Sequence, residues 1–301
     1  MFKIAYSNIY QHSLPEGHRF PMLKYELIPQ QLLYEGIIEE NNLFEPTVCN
    51  EQAILLTHEY GYWHNLKNLL LSERDMRRIG FPLSAELVTR ETTIMQGTID
   101  GALYAQKYGC AMNIAGGTHH AFTNKGEGFC LLNDMAIAAN YLLTNKLAER
   151  ILIVDLDVHQ GNGTAQIFQN NAAVFTFSMH GKNNYPFHKE QSDMDIELMD
   201  GTNDTMYLDL LHQHLPLVVQ KHRPDFIFYL CGVDILATDK FGKLNISTEA
   251  CKQRDVFVFE LCKANKIPVA CAMGGGYSPK ISDIVNAHCN TFKAAAEIFF
   301  Q

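Results

Sequence analysis

A three-layer α/β fold, with a mostly parallel central sheet and helices on both faces, is the architecture this sequence predicts, on three observations. From residue 108 onward, short apolar runs alternate with longer stretches of helical periodicity. Most of the runs are apolar throughout, the pattern of strands covered on both faces. Strand, helix and strand then repeat, which implies right-handed crossovers and a parallel sheet. No internal repeat, low-complexity tract or linker rich in Pro, Gly or Ser interrupts the 301 residues, so residues 1–301 are expected to form one domain.

The opening MFKIAYSNIY has the pattern of a first strand, and helical stretches follow near 22–39, 58–71 and 84–107. The later strands are expected at Cys110–Ala115, Ile151–Val158, Val174–Met179, Phe226–Cys231 and Val269–Met273. Helical segments near 133–145, 162–170, 203–221, 247–265 and 284–300 lie between and after them. Ser247, and Asn203 or Thr202, are suitable helix starts because their side chains can accept from free backbone amides. Residues 181–203 are polar and turn-rich and read as a surface loop.

Composition narrows the function. With 47% apolar and 19% charged residues, the chain has material for a substantial core and is not dominantly disordered. Its net charge of −9 and isoelectric point near 5.8 argue against binding a phosphate backbone, which needs clustered Lys and Arg. The eight cysteines form no Cys-x-x-Cys and several sit in apolar runs, so reduced, buried thiols are expected rather than a disulfide framework or zinc ribbon. No apolar run approaches about 18 residues, and the start lacks the apolar stretch of a signal peptide. A cytoplasmic location is expected, or a nuclear one in a eukaryote.

Ligands in such sheets bind beyond the carboxyl ends of the strands. The run Ile151–His159 ends in Asp155, Asp157 and His159, which strand alternation would turn to one side while Val154, Leu156 and Val158 turn to the other. Two carboxylates and an imidazole make half of a divalent-metal site. The ordinary alternative is a capped strand end with a chance histidine, but unpaired carboxylates are rarely placed in an apolar strand. Asp234, after Phe226–Cys231, is by itself a common helix cap; with Asp157 and His159 it could complete an Asp/His/Asp set with an open fourth position, the mark of a catalytic site.

Gly116-Gly117-Thr118-His119-His120 would deliver two imidazoles through a tight turn, one of them suited to act as general base. Gly274-Gly275-Gly276-Tyr277 would bring a phenol to the same edge, where it could stabilise a developing oxyanion, although a Gly-rich turn with a surface Tyr is as common. In Gly126–Asp134, Asn133 or Asp134 can cap a helix, and Phe129 could line a channel or pack in the core.

In order, GGTHHA (116–121), GFCLLND (128–134), DLDVHQGNG (155–163), CGVD (231–234) and GGGY (274–277) resemble the motifs of the histone deacetylase family, of the arginase/deacetylase fold. Residues 15–21 look like the family's N-terminal segment. The resemblance covers roughly residues 110–280. Gln160 and Asn162, with the runs 231–247 and 80–84, look most like class IV. The resemblance implies one zinc ion, or iron(II) in its place, held by Asp157, His159 and Asp234. It implies His120 as general base and then acid, His119 as its electrostatic partner, and Tyr277 as the oxyanion donor. Asp155 would stand behind His119 and Asn162 behind His120. Gly128 and Phe129 would form part of an acyl-lysine tunnel, whose second aromatic wall would be Tyr185 or Phe187. A structural potassium ion near Asp155, Asp157, His159, Ser178 and Met179 is also implied. His18 and His180 are expected near the cleft without an assigned role.

The implied activity is removal of acetyl or longer acyl groups from lysine side chains of a protein or peptide by metal-activated water. With a neutral Asn162 behind it, His120 is expected to have a lower pKa than it would with an Asp. The other readings are a deacetylase of a small amine such as an acetylpolyamine, a non-catalytic acyl-lysine binding module, and a binuclear manganese hydrolase of the same fold. The last would need a further carboxylate where Gln160 and Gly161 stand. No nucleic-acid or membrane partner is expected, and the sequence leaves the oligomeric state open.

Overall fold

The structure is a computed structural model and describes residues 1–300. In chain order the elements are β1 (Lys3–Ala5), α1 (Lys24–Tyr34), β2 (Leu43–Phe44), α2 (Glu51–Leu55), α3 (Tyr60–Lys67), α4 (Glu73–Ile79), α5 (Ala85–Tyr108) and β3 (Cys110–Asn113). There follow α6 (Asp134–Thr144), β4 (Ile151–Asp155), α7 (Asn162–Phe168), β5 (Val174–Gly181), β6 (Met194–Leu198) and α8 (Asp204–His222). The chain closes with β7 (Phe226–Leu230), α9 (Thr248–Asn265), β8 (Val269–Ala272) and α10 (Ile281–Phe300).

All strands pair in parallel in one eight-stranded sheet of order β2-β1-β3-β8-β7-β4-β5-β6. Every residue of β3, β4, β7 and β8 is buried, as their uninterrupted apolar runs require. Helices α1, α10, α9 and α8 pack side by side in one layer, while α5 packs on α6 and α2 on α6 in another. The three-layer α/β architecture read from the sequence is the one observed.

Capping follows the sequence as well. Ser247 Oγ accepts from the Ala250 amide and Asn203 Oδ1 from the Met206 amide, each at 3.1 Å. Asn133, rather than Asp134, caps α6 through the Ala136 amide. All eight cysteines are free and buried, and among the described residues no helix is long and apolar enough to cross a membrane.

Three expectations are corrected. Residues 181–203 are not only a loop: β6 lies there as an edge strand, with Asp195 and Glu197 outward and Ile196 and Leu198 inward. Its five residues alternate and carry two acids, which protects an edge from further pairing and hides it among polar loop residues. The short elements β2, α2 and α4 were not foreseen, being too brief to show a period. Finally, β4 ends at Asp155, so Leu156–His159 form a turn rather than the end of a strand.

Candidate active site

Four neighbouring strands, β3, β8, β7 and β4, end on one edge of the sheet, and the segments leaving them carry the candidate residues. Asp157 and His159 converge although they lie past β4. The turn is held from within: Asp155 Oδ1 accepts the Asp157 amide at 3.2 Å, and Asp157 Oδ1 accepts the His159 amide at 3.0 Å. Asp234, in the turn after β7, reaches across, its Oδ1 accepting the Val158 amide at 3.0 Å. Asp157 Oδ2 accepts the Gly275 amide at 2.8 Å, which ties the turn after β8 to the same point. Position 275 must be glycine, because a Cβ there would run into the Asp234 carboxylate.

His159 Nδ1 stands 3.0 Å from Asp157 Oδ1 and 3.1 Å from Asp234 Oδ2, and all three side chains are buried. Ligands held at about 2.0–2.2 Å in a tetrahedral site lie about 3.3 Å from one another, so the two spacings from His159 suit a bound divalent ion, and all three ligand atoms lie within 4.8 Å of one another. The charges fit as well. Burial and the neighbouring Asp157 push the Asp234 carboxyl up to about 7. Burial opposes the charged form of His159, yet the two carboxylates raise it to about 10. A divalent cation relieves such crowding of buried negative charge. Among the described residues, this is the one group of three or more His, Cys, Asp or Glu side chains close enough to hold an ion.

Beside this triad the rings of His119 and His120 lie 4.1 Å apart. Their turn is fixed by Asp134, whose Oδ1 accepts both the amide and the hydroxyl of Thr118 at 2.9 Å while its Oδ2 accepts from Thr98. His119 Nδ1 lies 2.7 Å from Asp155 Oδ2, and His120 Nδ1 lies 2.6 Å from Asn162 Oδ1. Each Nδ1 therefore donates, which in the neutral ring of His120 leaves Nε2 with a free lone pair. Burial works against a charged His119, but Asp155 and Asp157 outweigh it and raise its pKa. Burial, with the nearby His119 and His159, holds His120 well below the usual imidazole range.

The cleft above has aromatic walls. Phe129 packs against Phe20 and Phe81, each at 5.2 Å between ring centroids, and faces Tyr277 at 6.1 Å. Gly128 has a φ of +57°, and a Cβ on it would come within 2.7 Å of the His120 ring. Opposite, the Tyr185 ring lies perpendicular to that of His120, with centroids 4.9 Å apart, and its hydroxyl donates to Glu127 Oε1 at 2.9 Å. Of the two candidates for the second wall, Tyr185 is the one beside the imidazoles; Phe187 is 85% exposed at the mouth. Tyr277 is held by its amide donating to Asp239 Oδ2 at 2.6 Å, and burial with Asp234 and Asp157 keeps its phenol protonated. The outer cleft has a volume of about 420 Å³, and an inner cavity of about 40 Å³ lies behind it, bounded by Tyr25, Arg90, Gly117, His119 and Cys130 among others.

His18 stacks on Phe81, meets the Gly80 carbonyl at 2.8 Å and lies beside Phe129, so it backs residues of the cleft wall without lining the cleft itself. His180 lies elsewhere, with Ser178 Oγ 2.9 Å from its Nδ1, in a surface hollow beside Gln160 and Asp195. Sequence reasoning missed three residues that build the site. Glu127 Oε1 accepts from Asn162 Nδ2 at 2.7 Å as well as from Tyr185. An acid between two glycines, Gly126 and Gly128, was the available signal. Lys24 is fully buried and donates to the Gly274 carbonyl at 2.9 Å; burial lowers its pKa to about 8 against the pull of Asp234 and Asp157. Arg254 of α9 is also fully buried, with no signal in its polar surroundings.

A family model for the histone deacetylase domain matches residues 18–292. The chain belongs to the histone deacetylase family. It is 43% identical to an uncharacterised protein of a Picosynechococcus species, over 99% of both chains. It is 28% identical to histone deacetylase 2 of Arabidopsis thaliana, over 94% of this chain and 76% of that one. It is 25% identical to the acetoin utilization protein AcuC of Staphylococcus aureus, over 91% and 77%. In structure it resembles a histone deacetylase homologue from Aquifex aeolicus, with a TM-score of 0.84 over 98% of this chain and 84% of that one at 24% identity. A homologue complexed with SAHA gives a TM-score of 0.83 over 99% and 83%, also at 24% identity. Like its family, this histone deacetylase-type chain is a hydrolase of amide bonds, and its buried Asp157, His159 and Asp234 form a group able to hold a metal.

Proposed function

We propose that the protein removes short acyl groups, acetyl above all, from lysine side chains of peptides or proteins, with zinc held by Asp157, His159 and Asp234. The observation that carries this reading is the meeting, at the foot of one aromatic cleft, of that triad with an imidazole whose Nε2 is free and a protonated phenol. The lysine stem passes between Phe129 and Tyr185, above Gly128. Zinc, or iron(II) in its place, would act as a Lewis acid and make water acidic enough to attack at neutral pH. His120 Nε2 accepts the proton of the attacking water, and the Tyr277 hydroxyl donates to the carbonyl oxygen as negative charge develops there. His119, kept charge-prone by Asp155, stabilises the same oxygen-rich region. The proton held by His120 passes to the lysine nitrogen as the C–N bond breaks, releasing a carboxylate and free lysine.

The inner cavity supports a short acyl group. Its volume of about 40 Å³ against about 420 Å³ for the outer cleft favours a small acyl end such as an acetyl methyl over a fatty chain. Gln160 and Asn162 are the basis for placing the chain in class IV, and a potassium ion on Ser178 and the Asp155–His159 turn is part of the same proposal. Eight free, buried cysteines support a reducing, cytoplasmic location.

The test is release of lysine from an acetyl-lysine peptide and from its tetradecanoyl counterpart by the zinc-loaded protein. Acetyl turnover is expected to dominate, and Tyr277→Phe is expected to lower kcat by about 10²–10³, the loss typical of an oxyanion donor. Zinc bound one per chain with no turnover of either peptide would overturn the reading in favour of a small-amine substrate or a binding module.

A further inference from the structure

The outer cleft has a charge opposite to that of the molecule. The chain carries a net charge of −9, yet the lining of the mouth includes Arg19, Arg77, Arg78, Lys240 and Lys243 and no acid. Nearby carboxylates are already engaged away from the opening. Glu127 is buried behind Tyr185, and Asp239 accepts the amides of Phe241, Gly242 and Tyr277. Arg77 and Arg78 pair with Glu73 and Asp75 at 3.2 and 3.3 Å, and Lys243 approaches Asp200 only to 4.0 Å. Among the described residues Arg19 and Lys240 have no carboxylate within 4.0 Å. Arg19 is instead fixed between two rings, its guanidinium 5.4 Å from the Phe129 centroid and 5.5 Å from that of Phe241. Stacking holds its planar fork at the entrance with its N–H donors free for an anion.

We propose that the mouth selects acyl-lysines set among acidic residues, with Arg19, Lys240 and Lys243 contacting Asp or Glu side chains on either side of the modified lysine. The inference rests on the acyl-lysine reading above and adds the substrate's charge class to it. A rim of one sign raises the local concentration of ligands of the other sign and speeds their encounter, an effect salt removes. The same rim repels a polycation, which counts against an acetylpolyamine as substrate.

Three acetyl-lysine peptides of equal length, with Glu, Gln or Lys at the two positions on each side, test this on the zinc-loaded enzyme. The Glu-flanked peptide is expected to exceed the Lys-flanked one in kcat/KM by about tenfold at low ionic strength, with the ratio falling toward one near about 0.5 M salt. In Lys240→Glu/Lys243→Glu the order is expected to reverse, and in Arg19→Gln the ratio is expected to shrink. Circular dichroism checks that each variant is folded, and the salt series on the unaltered enzyme decides the matter if one is not. A Lys-flanked peptide cleaved as fast as the Glu-flanked one, or an order indifferent to both salt and substitution, overturns the inference alone. If no peptide is cleaved, the catalytic reading falls. Fluorescence anisotropy of the same peptides then decides this inference separately: tighter binding of the Glu-flanked peptide upholds it, and equal or weaker binding overturns it.

Discussion

Asn162 stands between two partners, with Oδ1 2.6 Å from His120 Nδ1 and Nδ2 2.7 Å from Glu127 Oε1. Because Nδ2 must face the Glu127 carboxyl, the amide cannot flip, and only its oxygen is offered to the imidazole. Glu127 thus sets the tautomer of a ring it does not touch. An Asp at 162 would place a carboxylate against Glu127, so Asn162→Asp is expected to cost about 1–3 kcal/mol of stability from the lost donor and like-charge repulsion. It would also put a negative charge behind His120. In the proposed mechanism the unprotonated ring is the base, and burial now holds its pKa low. A raised pKa therefore moves the acid limb of kcat/KM to higher pH. Adding Glu127→Gln restores a donor to the new carboxylate, so the melting temperature should recover while the shifted limb persists. Melting curves and pH profiles of the single and double variants check both halves. A limb that does not move in either variant contradicts the role of Asn162. The place of Asn162 was legible in the sequence, because it follows His159 at the family's spacing. Glu127 was marked only by the glycines on either side, and its part depends on a contact across 35 positions that no local pattern encodes.

Arg254 does for the strands what Glu127 does for a side chain. From the buried face of α9 its Nη1 donates to the Gly232 carbonyl at 2.6 Å and to Leu156 at 3.2 Å, and Nη2 donates to Cys231 at 3.3 Å. Asp255 balances its charge, and Tyr229 and Thr291 donate to Asp255 in turn. The three carbonyls lie beside Asp157 and Asp234, so one helix fixes the turns after β4 and β7 relative to each other. Arg254→Met is expected to cost about 3–5 kcal/mol, since it strands Asp255 and unpairs those carbonyls. Arg254→Lys should recover only part, because an ammonium cannot reproduce the fork. Urea midpoints measure the cost, and weakened zinc affinity in any folded variant would show that the clamp positions the ligands. The strands that carry the site were readable because burial on both faces leaves an unbroken apolar run. Strand β6 was not, since its alternating MDIEL faces solvent on one side. Strand β4 was read too long because Leu156 and Val158 are buried in the turn, as strand residues would be.

Across the whole molecule, the site depends on a sheet order that the sequence does not display. The candidate residues follow β3, β4, β7 and β8 in the chain, while in space the strands run β3-β8-β7-β4. Motifs could be located one strand end at a time, but which ends were neighbours follows from crossovers that skip positions, and no local pattern records a skip. The consequence is energetic as well as geometric. Folding brings Asp157 and Asp234, 77 residues apart, into one buried point with His159 between them, so the folded chain gathers negative charge that the unfolded chain keeps in water. A metal that binds only the folded state offsets this by mass action, about 4 kcal/mol when its free concentration is about a thousand times its Kd. Chelation is therefore expected to lower the melting temperature, and added zinc to restore it. In Asp234→Asn the zinc-dependent increment should disappear. Without metal, that variant should melt no lower than the chelated parent, because the substitution removes one of the two crowded carboxylates and keeps the shape. Scanning calorimetry of both proteins with and without zinc distinguishes this from a site that is only catalytic. Equal increments in the two would show that zinc stabilises the molecule from somewhere else.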